Sequence, residues 1–445
     1  MVSYSKCIWA KLSIILAFLF FLPPYFTKFG YLTQIKETSK KKVVFDESML
    51  PSAYEAYNGI TINTNSTVDY WPTTGWLEST PAEQGMNSRK LDQMKNFIVE
   101  YNYDKDLDSV LVIRNGYIVL EMYPSYLDYG FTTIPKYNEN MTHILHSVTK
   151  SFTSALIGIA IQQGLIEGVN QKVVDFFPSR TIENLDSRKQ NMTLKHLLTM
   201  TTGFEWDEWS YPYTDSRNML IQMINSGDAV QFMLNRPMLS NPGEEWIYCT
   251  GASHLLSAIL TQVSGYRALQ FAREFLFGPL GIARAFWPPD SQGINYGGSE
   301  LRITPRAMAK FGFLYLNNGT WDGQQIVPAD WVINSTIPHF NLASYGYQWW
   351  LNPSAGLYHA NGVYGQEIFI VPNQNLVVVF TGDFKNGNPE YQLLFNYILP
   401  AVTDDVDDTD DRWRLIIGYP VISFGFFSIV ALLGIISIMA RKILR

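Results

Sequence analysis

Two β-hairpin signatures near opposite ends of the ordered sequence constrain this chain more than any other feature. Val110-Leu111-Val112-Ile113 and Tyr117-Ile118-Val119-Leu120 flank Asn115-Gly116, the dipeptide favoured by a two-residue type I′ turn. Gln366 to Val371 and Leu376 to Phe380 flank Pro372-Asn373-Gln374-Asn375, which reads as a second hairpin. Before the first hairpin, Ser88 is an N-cap candidate, and Leu91, Met94, Phe97, Ile98 and Tyr101 follow it at helical spacing. After the second, Tyr391 to Val402 reads as a final helix. Residues 165 to 290 read as helices and loops, broken at Thr199 to Gly203 and at Asn241-Pro242-Gly243. Helix and hairpin at the start, hairpin and helix at the end, imply one antiparallel sheet assembled from both ends. The expected class is α+β, with the middle forming an all-helical subdomain and the functional cleft lying between the two.

Ser147-Val148-Thr149-Lys150 introduces a contradiction within that frame. Ser151 to Gln163 is rich in Phe, Leu, Ile, Ala and small hydroxyls, with apolar residues on nearly every face, so it reads as a buried helix stopped by Gly164. A serine at its start can be an N-cap. A capping box, however, wants Glu or Gln three residues on, and the helix dipole favours negative charge in the first turn. Lys150 holds that place instead. Burying an ammonium there is costly unless a neighbour rewards it. A nucleophilic Ser147 does so, because residues three apart share a helix face and a desolvated lysine can take the hydroxyl proton. Spacing alone is unspecific: Ser3/Lys6 and Ser39/Lys42 match it too, outside any buried helix.

A Ser/Lys pair needs a further group to pass protons to the leaving atom. Tyr248 is the candidate, since Pro242-Gly243-Glu244-Glu245-Trp246-Ile247-Tyr248-Cys249-Thr250-Gly251 forms a tight loop before a helix expected at Ser253 to Val263. Here the sequence resembles the serine β-lactamase-like hydrolases. His146-Ser147-Val148-Thr149-Lys150-Ser151-Phe152, His196-Leu197-Leu198-Thr199-Met200-Thr201-Thr202-Gly203 and Tyr248-Cys249-Thr250 carry the likeness. Pro279-Leu280-Gly281, Gly297-Gly298 with Ile303-Thr304-Pro305, Phe311 to Asn317, Trp321-Asp322-Gly323 and Gly365-Gln366 extend it in the family's order. The branch it most resembles is that of the 6-aminohexanoate-dimer hydrolases and esterases related to class C β-lactamases.

The resemblance implies Ser147 as the acylated nucleophile, Lys150 as its proton partner and Tyr248 as general base or acid. Two departures stand out. The family's Tyr-x-Asn reads Tyr248-Cys249-Thr250, and the Lys-Thr-Gly strand is absent, its nearest segment being His359-Ala360-Asn361-Gly362 before Val363. Both weigh against β-lactamase or peptidoglycan activity and leave acyl-enzyme chemistry intact. The oxyanion hole is expected from the Ser147 amide and one amide between Ala360 and Val363. His359 and Val363 are thus the substrate-contact candidates. His143 and His146 lack further ligands at usable spacing, so neither metal nor cofactor is expected. Trp206, Trp209, Tyr211 and Tyr213 crowd one loop and either line a substrate pocket or pack the helical lobe. Cys249 reads as a packed small residue.

Compartment signals come from the flanks. Residues 1–26, with an apolar run from Leu12 to Leu22 behind Lys6 and Lys11, read as a signal peptide or signal anchor. A polar linker over 27–79, the hydrolase body over 80–402 and a stalk over 403–414 carrying six aspartates follow. Residues 415–440 are uncharged and exceed the ~20 needed to span a bilayer, and 441–445 form a basic tail expected in the cytosol. The sequons at Asn65, Asn140, Asn191, Asn318 and Asn334 then suit a lumenal or extracellular body. With 33 Lys+Arg against 40 Asp+Glu, the net charge of −7 argues against a nucleic-acid partner. The expected activity is cleavage of a small ester or amide by a membrane-tethered serine hydrolase. The competing expectations are a catalytically silent binding protein on the same fold and a penicillin-binding carboxypeptidase.

Overall fold

The computed structural model describes residues 70–403, apart from 129–132, 341–343 and 386. The expected leader, most of the linker with Asn65, the aspartates of the stalk, the 415–440 span and the basic tail lie outside the described residues. Among the described residues no helix is long and apolar enough to cross a membrane.

The hairpins meet in one sheet. Strands β1 (Leu107–Arg114), β2 (Tyr117–Met122), β3 (Trp350–Asn352), β4 (Leu357–Gly362), β5 (Gln366–Val371) and β6 (Leu376–Gly382) take the order β2-β1-β6-β5-β4-β3. Every neighbouring pair is antiparallel, and β1 against β6 is the seam between the two ends of the chain, with Val112 opposite Val378. Asn115 and Gly116 have φ of 52° and 87°, the doubly left-handed backbone of a type I′ turn.

Strands β1 and β6 are buried along their whole length, because each face of the sheet is covered. That is why β6 reads as an unbroken apolar run rather than an alternation. The alternation survives in what covers each side chain. Val377 and Val379 enter the larger core, while Leu376, Val378 and Phe380 enter the smaller one. Helix α1 (Ser88–Glu100) and the C-terminal α-turn α5 (Pro389–Leu393) build the smaller core. The larger core gathers α2 (Thr149–Gln162), α3 (Thr250–Ser264) and α4 (Pro305–Leu316). Phe152 of α2 stacks on Phe311 of α4 with centroids 3.7 Å apart, and each such buried ring is worth ~3–5 kcal/mol against truncation.

Four boundaries differ from the sequence reading, each through contacts distant in sequence. The α1 cap is Asn87, whose side chain accepts from the Lys90 amide, rather than Ser88. Helix α3 starts at Thr250, before the expected Ser253, with Cys249 Sγ accepting from the Ala252 amide. The final helix is not continuous: α5 passes into a π-turn at Leu394–Ile398 and a 3-10 turn at Leu399–Ala401. Tyr70, Trp71 and Trp76, inside the expected linker, pack on the body. Trp71 packs on Phe313 and Trp321, and Trp76 is buried with its indole N–H donating to the Arg306 carbonyl at 3.1 Å. Of the sequons, Asn140 and Asn191 are exposed, whereas Asn318 and Asn334 are half-buried.

Candidate active site

The site begins with how Ser147 is presented. His146–Val148 form a 3-10 turn leading into α2, with His146 at φ 45°. His143–Ile144 pair with Arg302–Ile303 on one side of this turn. On the other side lies the end of β4. A Cβ at Gly362 would sit 2.5 Å from the Leu145 carbonyl oxygen and 3.2 Å from the Ser147 nitrogen, so only glycine permits this approach. The strand end therefore lies against the Ser147 amide, and the half-buried Val363 follows directly. The Ser147 N–H at this strand end is one ingredient of an oxyanion hole.

Lys150 is 1% exposed on a helix buried from Thr149 to Ala160. Its Nζ lies 3.0 Å from Ser147 Oγ, donates to the Gly298 carbonyl at 2.9 Å, and sits 4.8 Å from the centroid of the Tyr248 ring. The bond to Gly298 needs a residue without a side chain, since a Cβ there would approach Thr250 Cγ2 to 2.6 Å. Burial pushes the Lys150 pKa down to about 8, against the opposing pull of the Glu208 carboxylate. A lysine so poised is partly neutral near physiological pH and can accept the Ser147 proton.

Tyr248 is buried just ahead of α3. Trp209 and Trp350 stack on it at 5.6 and 5.7 Å, and Trp246 and Tyr345 close the ring at 6.3 and 6.4 Å. Burial holds its phenol pKa well above the usual range; Tyr345 and Glu208 push the same way, and hydrogen bonding to Ser147 opposes them. Tyr248 is thus a protonated donor at working pH, not a phenolate. Tyr248, distant in sequence, is brought into one cluster with Ser147 and Lys150.

His359 is not part of it. Along β4 alternate residues face opposite sides, so Gly362 faces Ser147 while His359 turns toward the smaller core. There its ring stacks on Phe369 at 5.0 Å, with Nδ1 2.9 Å from Glu367 Oε2. Burial pushes the imidazole down to about 3 and the carboxyl up, making a neutral hydrogen bond. The expectation that His359 touches substrate is corrected accordingly. The Trp206–Tyr213 loop divides between the two roles considered for it. Trp206 is buried, and Trp209 is 51% exposed beside Tyr248, where a substrate would meet it. Cys249 is fully buried, and burial pushes its thiol up, away from reactivity. Among the described residues no group of His, Cys, Asp or Glu could hold a metal.

Glu208 was not singled out by sequence. It is 3% exposed, with Oε1 accepting from Thr250 Oγ1 at 2.8 Å and Tyr213 at 3.2 Å, and Oε2 accepting from the Trp206 indole at 2.7 Å and the Thr250 amide at 2.8 Å. An acid inside a Trp-rich loop was its only signal.

A family model described as Beta-lactamase matches residues 103–402. The 6-aminohexanoate-dimer hydrolase of Paenarthrobacter ureafaciens is 24% identical over 294 residues, covering 61% of this chain and 71% of its own. Among solved structures, EstCE1, a hydrolase with promiscuous acyltransferase activity, superposes with a TM-score of 0.58 at 17% identity, covering 71% of this chain and 98% of its own. An octameric penicillin-binding protein homologue from Pyrococcus abyssi gives 0.54 at 18% identity, covering 70% and 77%.

Proposed function

The chain belongs to the beta-lactamase family of serine hydrolases, and on that premise we propose that it cleaves small esters or amides through an acyl-enzyme on Ser147. The observation that carries this reading is the buried Lys150 ammonium, 3.0 Å from Ser147 Oγ and against the Tyr248 ring. A binding module gains nothing from that costly arrangement. Neutral Lys150 takes the Ser147 proton as Oγ bonds to the substrate carbonyl carbon. The resulting oxyanion is held by the N–H groups of Ser147 and Val363. Tyr248 gives its proton to the departing alcohol or amine as the C–O or C–N bond breaks, and recovers one from Lys150. Water then attacks the acyl-enzyme, losing its proton through the same relay while Ser147 Oγ is reprotonated. The similarity to the 6-aminohexanoate-dimer hydrolase and to EstCE1 supports amides and esters as the substrate class. The missing lysine of the Lys-Thr-Gly strand removes the usual partner of a β-lactam carboxylate.

Tyr248→Phe tests the relay. The ring still packs between Trp209 and Trp350, so the melting temperature should hold while ester turnover falls ~10²–10⁴-fold. A purely structural tyrosine would show the reverse, on the order of 1 kcal/mol of lost stability with little change in rate.

The same proposal places the body on the lumenal or extracellular side, tethered by residues 415–440 ahead of the basic tail. The exposed Asn140 and Asn191 side chains are then the favoured glycan sites. Glycosidase should lower the mass of the protein, and alkaline extraction should leave it with the membrane. A protein of unchanged mass that is released by alkali contradicts the tether and the topology together.

A further inference from the structure

We propose that Glu208 is the positioning residue of this site: it fixes Tyr248-Cys249-Thr250 against Lys150 and sets its carboxylate beside the proton relay. This rests on the reading of Lys150 as base. The geometry is one-directional. All four hydrogen bonds to the Glu208 carboxylate come from groups that donate to it, and two of them are from Thr250, the residue that follows Cys249 and begins α3. The Glu208 backbone carbonyl is itself held by Asn218 Nδ2 at 2.9 Å, so the loop end is fixed at both chain and side chain. The arrangement accounts for the departure at Thr250. Where the family's asparagine would face the substrate, this hydroxyl is turned onto Glu208 and helps to anchor the tyrosine loop.

A carboxylate only 3% exposed is tolerated because four donors satisfy its oxygens. The groups facing Lys150 are Ser147 from the turn before α2, the Gly298 carbonyl from its loop, Tyr248 and Cys249 from the start of α3, and Glu208. Glu208 is the carboxylate acting on Lys150, and it acts on Tyr248, Cys249, Tyr213 and Tyr345 as well. Its charge favours the ammonium and disfavours the phenolate, so a proton released by Ser147 is drawn to Lys150 while Tyr248 keeps its own until the leaving group departs.

Glu208→Gln separates charge from scaffold. The amide oxygen can keep the Trp206 and Thr250 N–H bonds, while its NH₂ faces two hydroxyls, Thr250 and Tyr213, that can rotate to accept. The loop is therefore preserved and only the charge is lost. In the wild-type protein kcat/KM for a p-nitrophenyl ester should rise with pH toward a limb near 8, the Lys150 value. In Glu208→Gln that limb should move to lower pH by roughly 1 unit, because the negative charge that favours the Lys150 ammonium has been removed. Tyr213→Phe, which deletes one hydrogen bond and leaves the charge, should leave the limb in place. If Glu208→Gln does not fold, Glu208→Asp takes its place: drawing the charge back by one methylene should shift the limb the same way by less. A limb unmoved in the folded variant, or moved equally by Tyr213→Phe, overturns the role of Glu208. That failure is distinct from failure of the Lys150 reading, which would appear in the wild-type protein as a profile without a limb near 8.

Discussion

Ser147→Ala is expected to abolish acylation and to lower ester turnover by roughly 10⁴–10⁶-fold, the scale seen when a covalent nucleophile is removed and only binding and oxyanion stabilisation remain. The effect is large because nothing nearby can substitute. Cys249 is fully buried with its thiol held protonated, and Thr149 lies buried inside α2. Ser151 donates to the Gln348 carbonyl at 2.7 Å and points away from Lys150. Stability should change little, since Ser147 contributes only the hydrogen bonds of its hydroxyl with Lys150 and Tyr248. Ser3→Ala and Ser39→Ala, which share the S-x-x-K spacing, should leave turnover unchanged.

Lys150→Met should lose ~10²–10⁴-fold in turnover and yet gain stability. The folded lysine has a pKa of about 8 against an ordinary 10.5, so burying its charge costs roughly 3 kcal/mol at neutral pH, at about 1.4 kcal/mol per unit. Methionine fills similar space without that cost, losing in return the bond to the Gly298 carbonyl, worth about 1 kcal/mol. The sign can be checked by pH. Below 8 both folded and unfolded lysine are protonated and the full penalty is present. Between about 8 and 10.5 the folded lysine releases its proton while the unfolded one keeps it, so wild-type stability rises with pH. Lys189 and Lys310, each lowered to about 8 by burial, add the same trend to both proteins. The difference between wild type and Lys150→Met therefore isolates Lys150. Denaturant unfolding at pH 7.5 and 10 should show that difference shrinking; a constant difference would mean that Lys150 is not buried as an ammonium.

What the sequence revealed, and what it hid, follows from the range of the interactions involved. The β1–β2 turn was legible because Asn115-Gly116 encodes its own backbone, and α2 because its apolar residues crowd every face. Lys150 stood out because a cation on such a helix contradicts local physics, and such contradictions mark functional sites. Glu208 carried no local contradiction: its partners at Thr250 lie 42 residues away, and an acid in a loop is unremarkable until the loop is folded. His359 was misplaced for a different reason. The segment was located correctly, but a shift of one residue along a strand exchanges its faces. Which of Ala360, Asn361 and Gly362 meets Ser147 is decided by the contact of Gly362 with Leu145, which no periodicity encodes. The packing of Trp71 was hidden likewise, because it finds its partners in Phe313 and Trp321.

The most direct test of the account is to react the purified full-length protein with a fluorophosphonate, digest it, and locate the adduct by mass spectrometry. A single phosphonylated residue at Ser147, formed faster as the pH approaches 8 and absent from Ser147→Ala, is the predicted result. An adduct on another residue with Ser147 unmodified would contradict it.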